Sequence, residues 1–198
     1  MTAAEITRLA LDAGAMQKRD ELEALLNLLA DREKKVNRVI EIGTAQGGTL
    51  AAWCAFAAPT ATIVSVDLPD GDFGGGYSIG DMARMYERKQ PGQRLLLLRG
   101  NSHDYGIVKQ VWDAVYESAD LLFIDGDHTL EGVRKDYETY STLVRPGGVI
   151  ALHDIRREQE HPACRVADFW ETLTTGEHRK IISKDDRAWG GIGVVIKP

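Results

Sequence analysis

The sequence predicts an α/β protein: a doubly wound, mainly parallel sheet with a C-terminal antiparallel hairpin and two extra N-terminal helices. Three observations carry this. From residue 36 onward, short apolar runs alternate with helical patterns, as in successive βαβ units. The runs are continuously apolar, as in strands covered on both faces. Most of them end in polar residues: Glu41, Asp67, Asn101-Ser102, Asp125 to His128, and His153-Asp154. In an open parallel sheet the carboxyl ends of the strands are where ligands bind.

Each element follows from its local pattern. Ile6, Leu9, Ala10 and Ala13 repeat at helical spacing. A second helix carries Leu22, Leu25, Leu26 and Leu29, and Asp20 with Glu23 reads as its capping pair. These two helices form an extension over residues 1–35, which packs plainly, covers a site or makes a dimer surface. The core, residues 36–198, belongs to the same single domain. Strand Val36–Ile42 leads to helix Thr49–Ala57, and strand Thr62–Val66 ends at Asp67. Helix Ile79–Lys89 and strand Arg94–Leu98 follow, then helix Tyr105–Glu117 with Val108, Val111, Trp112 and Val115 on one face. Strand Asp120–Ile124 runs into Asp125, and helix Leu130–Val144 shows Leu130, Val133, Tyr137 and Tyr140. Strand Val149–Leu152 ends at His153-Asp154, and helix Arg165–Leu173 presents Val166, Phe169 and Trp170. Trp112, Tyr137 and Trp170 are expected in the core. The tail, Lys180–Ser183 and Ile192–Ile196 around Trp189-Gly190-Gly191, has no intervening helix and pairs as a hairpin. The glycine-rich stretch Asp70–Tyr77 reads equally well as a lid or a wide turn.

Composition narrows the function. A length of 198 residues with 43% hydrophobic content suits one domain with a full core. A net charge of −6 without a basic block argues against a nucleic-acid partner. Cys54 and Cys164 are far apart and outside any CxxC, which suits a reducing, cytoplasmic setting. No signal peptide and no run of about 20 apolar residues is seen, so no membrane is expected.

The stretch Val39 to Thr49 organises the rest. It is a strand that enters a glycine-rich turn and then a helix, a geometry that offers backbone N–H groups and a positive helix end to an anion. A dinucleotide fingerprint would fall on Gly43, Ala45 and Gly48, but its middle glycine, which admits the pyrophosphate, is Ala45. Glu41 would repel a pyrophosphate and attract an ammonium or a sulfonium. Asp67, 24 residues after Gly43, suits a ribose in either case. Tyr105 and Lys109 have dehydrogenase spacing but come too early in the chain.

With Glu41-x-Gly43-x-x-x-Gly47, Asp67, Gly100-Asn101-Ser102, Phe123 to His128 and Arg145-Pro146-Gly147-Gly148-Val149, residues 36–198 resemble the class I S-adenosylmethionine-dependent methyltransferases. Within that class they are most similar to small-molecule O-methyltransferases of the catechol O-methyltransferase-like and cephalosporin-hydroxylase-like branches. The resemblance implies a Rossmann-like, seven-stranded sheet whose last strand is antiparallel. It implies S-adenosyl-L-methionine as cofactor, with Glu41, Gly43, Thr44 and Gly47 around the methionine moiety. Asp67 and Leu68 would lie at the ribose, Asn101 and Ser102 near the adenine, and Asp125 beside the cofactor.

Methyl transfer to oxygen needs an acceptor placed in line and made nucleophilic by a base or a metal. Asp125 and Asp154 end neighbouring strands and suit Mg²⁺, as the resemblance implies. The family's usual further Asn or Asp beside the second ligand is replaced by Ile155, preceded by His153, which leaves Mn²⁺, Fe²⁺ or no metal open. His128 stands at the offset of the general base in catechol-type relatives, or else begins a helix; His153 is either catalytic or bonded to backbone. Asp127 is read as a helix cap. The acceptor is a small molecule, because Asp125-Gly126-Asp127-His128 replaces the Asn/Asp-Pro-Pro-aromatic motif of nucleic-acid amino-methyltransferases. A non-catalytic cofactor-binding protein and an NAD-linked oxidoreductase are the alternatives, and homo-oligomerisation stays open.

Overall fold

The computed structural model describes residues 1–69, 76–116, 118–157, 161–185 and 189–198. The Asp70–Tyr77 loop up to residue 75, and part of the Arg156–Pro162 loop, lie outside the described residues. Helices α1 (Ala3–Asp12) and α2 (Arg19–Ala30) precede strand β1 (Arg38–Ile42). Then come α3 (Gly48–Phe56), β2 (Thr62–Asp67), α4 (Ile79–Tyr86), β3 (Arg94–Arg99), α5 (Tyr105–Val115) and β4 (Ala119–Ile124). The chain ends with α6 (Leu130–Tyr140), β5 (Val144–His153), α7 (Val166–Trp170), β6 (Glu177–Ile181) and β7 (Ile192–Ile196).

The strands form one seven-stranded sheet in the order β3-β2-β1-β4-β5-β7-β6. β1 to β5 pair in parallel, and β7 runs antiparallel between β5 and β6. The expected architecture is therefore present, and the order reverses between β1 and β4, where an open sheet has its crevice.

Period-two alternation sorts the strand residues between two cores. Val39, Ile63, Leu121, Phe123 and Ala151 face α1 to α4. Ile40, Val64, Leu122, Ile124 and Leu152 face α5 to α7. No helix among the described residues is long and apolar enough to cross a membrane.

Several local expectations are corrected. Asp20 does not cap α2, whose N-cap residue Lys18 makes no side-chain capping bond. Asp20 instead accepts from Ser183 Oγ at 2.9 Å, and Glu21 accepts from the backbone of Ser183 and Gly191, so the helix start is spent on the C-terminal hairpin. Helix α6 stops at Tyr140 and passes through a 3₁₀ turn, because Val144 already pairs with Ala119 in the sheet. The hairpin's first strand is Glu177–Ile181, since its register is fixed by pairing to β7 and not by its weak apolar pattern. Trp170 is buried, but Trp112 is 41% exposed and packs edge-on against Tyr116.

Candidate functional site

A cavity of about 320 Å³ opens at the carboxyl ends of β1, β2 and β4. Five stretches wall it: residues 14–17, the turn 42–45 with the start of α3, residues 66–68, residues 100–103 and residues 125–128. Of the expected site residues, Gly43, Thr44, Asp67, Leu68, Asn101, Ser102, Asp125 and His128 line it. Glu41, Gly47, His153 and Asp154 do not line it.

The glycine turn is closed by the chain itself. Asp67 Oδ2 accepts from the Thr44 and Ala45 N–H groups at 2.8 and 2.6 Å, and Oδ1 accepts from Leu68 N at 2.7 Å. The N–H groups expected to be bare are thus held by a carboxylate, which fixes the turn before any ligand arrives. Gly43, at φ +90°, allows β1 to pass against β4, since a Cβ there would sit 2.0 Å from the Asp125 carbonyl oxygen. Gly48 serves a second close approach: a Cβ would lie 1.9 Å from Ala15 N. Gly47 faces Met85 and Arg88 of the α4 side instead.

Glu41 corrects the charge argument. It stands in register with Val39, on the α3 face of the sheet, fully buried. Its carboxyl accepts from Trp53 Nε1 at 2.9 Å and from Ser65 Oγ, and Ser65 in turn bonds the Thr44 hydroxyl. Burial outweighs those bonds and pushes its pKa up to about 8, so the group is neutral at pH 7 and offers no charge to a sulfonium. Of the two departures from the dinucleotide rule, only Ala45, held at φ +45°, still touches the cavity.

Beside the cavity, where Asp125 and His128 line it, β4 and β5 bring four titratable side chains together. His128 Nε2 lies 3.3 Å from Asp125 Oδ1 and 3.6 Å from Asp154 Oδ2. His153 Nδ1 lies 3.2 Å from Asp125 Oδ1 and 3.2 Å from Asp154 Oδ1. Yet neither ring nitrogen of His153 makes a hydrogen bond, although the residue is only 4% exposed. Asp154 is held at φ +62°, a strained setting for a non-glycine residue that turns its carboxylate back toward Asp125. Burial would raise the Asp125 pKa, but the His153 charge and the His128 bond hold it well below the usual carboxylate range. Burial likewise works against charged His128 and His153, and the two carboxylates override it and hold both above the usual histidine value. Two carboxylates and an orphaned buried imidazole, converging within 4.8 Å, fit a divalent cation.

Sequence reasoning missed three parts of this site. Gln17 is 4% exposed and donates to Asp125 Oδ2 at 2.7 Å while accepting from Thr49 Oγ1 at 2.5 Å. Its only signal was the break between two helices that were expected to pack plainly. His103 lines the cavity and lies 3.2 Å from buried Asp136, which also accepts from Ser102 Oγ at 2.7 Å. Cys164 lies with His128 and Asp154 in a group whose ligand atoms are within 4.8 Å of one another. Asp127 caps only the Thr129 N–H; Thr129 is the N-cap of α6.

A family model described as a methyltransferase domain matches residues 40–155, more than half of the chain. No curated protein matches the sequence. Among solved structures, the chain is similar to an O-methyltransferase from Bacillus cereus in complex with SAH (S-adenosylhomocysteine), at TM-score 0.66 and 19% identity over 99% of this chain and 90% of that one. It is similar to the MycE methyltransferase of the mycinamycin biosynthetic pathway, with Mg and SAH, at TM-score 0.64 and 16% identity over 100% of this chain. It spans only 55% of MycE. The O-methyltransferase TomG of Streptomyces achromogenes, involved in tomaymycin synthesis and bound to SAM, gives TM-score 0.63 and 16% identity over 99% of this chain and 88% of that one. At such identities these structures speak for the fold.

Proposed function

The chain belongs to the methyltransferase-domain family, and on that premise we propose that it transfers a methyl group from S-adenosyl-L-methionine to a hydroxyl oxygen of a small molecule. One observation carries the reading: a single cavity is lined both by the glycine turn with Asp67 and by Asp125 with His128. The turn and Asp67 take the amino acid and ribose of the cofactor, and the 100–103 wall takes the adenine. The sulfonium then points toward the carboxylate end. The acceptor hydroxyl lies in line with the methyl carbon, its oxygen forms the new C–O bond, and the C–S electron pair returns to sulfur. S-adenosylhomocysteine leaves, and His128 Nε2 receives the hydroxyl proton. Asp125 and Asp154 would hold a divalent cation, which when bound lowers the pKa of the acceptor hydroxyl.

A small acceptor is supported by the net charge of −6 and by Asp125 to His128 in place of a base-reading motif. The neighbours MycE, of the mycinamycin biosynthetic pathway, and TomG, involved in tomaymycin synthesis, lend the same support. A cytoplasmic setting belongs to this reading, with Cys54 and Cys164 not joined to each other. Titration calorimetry of the intact protein with S-adenosylhomocysteine and with NADH tests the cofactor. Binding of the first alone is expected; binding of NADH alone sinks the proposal. His128→Ala is expected to keep S-adenosylhomocysteine affinity and lose methyl transfer to a hydroxyl acceptor by a hundredfold or more. Equal turnover of the variant would remove His128 from the mechanism.

A further inference from the structure

We infer that the cation site beside the cavity is built for a borderline-soft transition metal of the zinc, cobalt or ferrous class, with Cys164 and His153 among its ligands, and not for magnesium. Two groups of donor atoms share Asp154: one with Asp125 and His153, the other with His128 and Cys164, each within 4.8 Å. Linked through Asp154, they offer two carboxylates, the His153 imidazole and a thiol, with His128 left to accept the proton. Magnesium wants an octahedron of oxygens and keeps most of its waters. Imidazole and thiolate select zinc, cobalt and iron. The position after Asp154, where a further oxygen ligand would stand, is Ile155, 6% exposed and packed in the lower core.

The second observation is independent of composition. His153 is nine-tenths buried, both its ring nitrogens lack a hydrogen bond, and Nδ1 faces the Oδ1 atoms of Asp125 and Asp154 equally. Nδ1 meets the two carboxylates by charge without a hydrogen bond to either, and a cation would engage it and both carboxylates at once. The surrounding structure aims these groups. Gln17 occupies Asp125 Oδ2 and so turns Oδ1 into the cluster. Arg165 N–H donates to the His128 carbonyl at 2.7 Å, which holds the Cys164 turn against the loop after β4.

The inference rests on the cation site of the proposed function but not on methyl transfer. Its test therefore reads metal alone. The full-length protein is stripped with chelator and titrated with Co²⁺. One equivalent is expected to bind, with a sulfur-to-cobalt charge-transfer band in the near ultraviolet. Cys164→Ser should lose that band and bind at least tenfold more weakly. Cys54→Ala should keep the band, since Cys54 is buried in the core against α3's own face of the sheet. His153→Asn should weaken Co²⁺ at least tenfold, with far-ultraviolet dichroism checking that both variants fold. Zn²⁺ should displace the signal at stoichiometric amounts, and Mg²⁺ should not at a hundredfold excess. Absence of the band, its persistence in Cys164→Ser, or displacement by Mg²⁺ as readily as by Zn²⁺ each overturns the inference. S-adenosylhomocysteine binding, measured alongside, separates that failure from failure of the methyltransferase reading.

Discussion

The two ends of the cavity are built on opposite plans. At the glycine turn the donors are answered by the chain itself: Asp67 holds the Thr44 and Ala45 N–H groups, and Thr44, Ser65 and Glu41 form a buried chain behind them. At the tips of β4 and β5, two carboxylates crowd one imidazole nitrogen that bonds neither, and Asp154 sits in a strained backbone. The first plan yields a rigid wall that keeps its shape without ligand. The second stores unmet polar interactions that a ligand can satisfy. Under the proposed function, rigidity where the cofactor would sit and unmet demand where the acceptor would react is the division that positioning plus activation requires.

The largest effect is expected at the seam between the two ends. Gly43 combines φ +90° with a Cβ position 2.0 Å from the Asp125 carbonyl oxygen. Gly43→Ala must push β1 away from β4 and disturb both plans together. A loss of about 4 kcal/mol or more is expected, roughly 10 °C in Tm for a chain of this size. Calorimetric melting checks it. A drop below about 2 °C would mean that the two strand ends adjust independently.

Second comes Glu41, which supports the rigid end from behind. Its pKa is raised in the folded protein, so its contribution to stability is full below the ordinary value of 4.5, declines as pH rises, and is lost above about 8. Glu41→Gln removes the titration while an amide oxygen still accepts from Trp53. Urea unfolding from pH 4.5 to 8 should show native stability falling by a few kcal/mol relative to the variant, at about 1.4 kcal/mol per pH unit at most. Parallel curves would place the charge of Glu41 in solvent contact and overturn the closed plan.

How much of this was legible in the sequence follows from the same contrast. The parallel part of the sheet was legible because its strands are apolar on both faces, and the strand tips because polar residues stop those runs. Asp67 and Asp125 were found for that reason. Glu41 was misread because a strand-tip position does not say which face the side chain takes; pairing of β1 with β2 and β4 puts it beside Trp53. Gln17 and Cys164 were invisible because both come from connections whose course is set by tertiary contacts. Gln17 is brought in by α1 folding against α3, and Cys164 by the bond from the neighbouring Arg165 N–H to the His128 carbonyl. No spacing rule links residues 17 and 125.

Asp67 gives the next effect in size. Asp67→Ala deprives three N–H groups of their acceptor, two of them in the turn, and should cost about 1–3 kcal/mol of stability. It should weaken S-adenosylhomocysteine at least tenfold, because the turn loses its brace together with the acid expected at the ribose. Asp67→Asn, which keeps an acceptor oxygen, should recover most of the stability but not the affinity. Equal affinity in all three proteins would show that the turn is formed by its glycines alone.

The smallest effect addresses whether the two plans communicate. Gln17 is the side chain that touches both: Thr49 at the start of α3 donates to it, and it donates to Asp125. Gln17→Ala should cost only about 1 kcal/mol, the net worth of such bonds. Its consequence lies elsewhere. If cofactor seated against α3 steadies Gln17, it also steadies Asp125 Oδ1, and each ligand then tightens the other by the same factor. In the native protein, S-adenosylhomocysteine should tighten Co²⁺ binding about threefold, roughly 0.7 kcal/mol of coupling. In Gln17→Ala the factor should fall to one, with each ligand still binding alone. An unchanged factor would mean that the shared cavity, and not this amide, links the two ends.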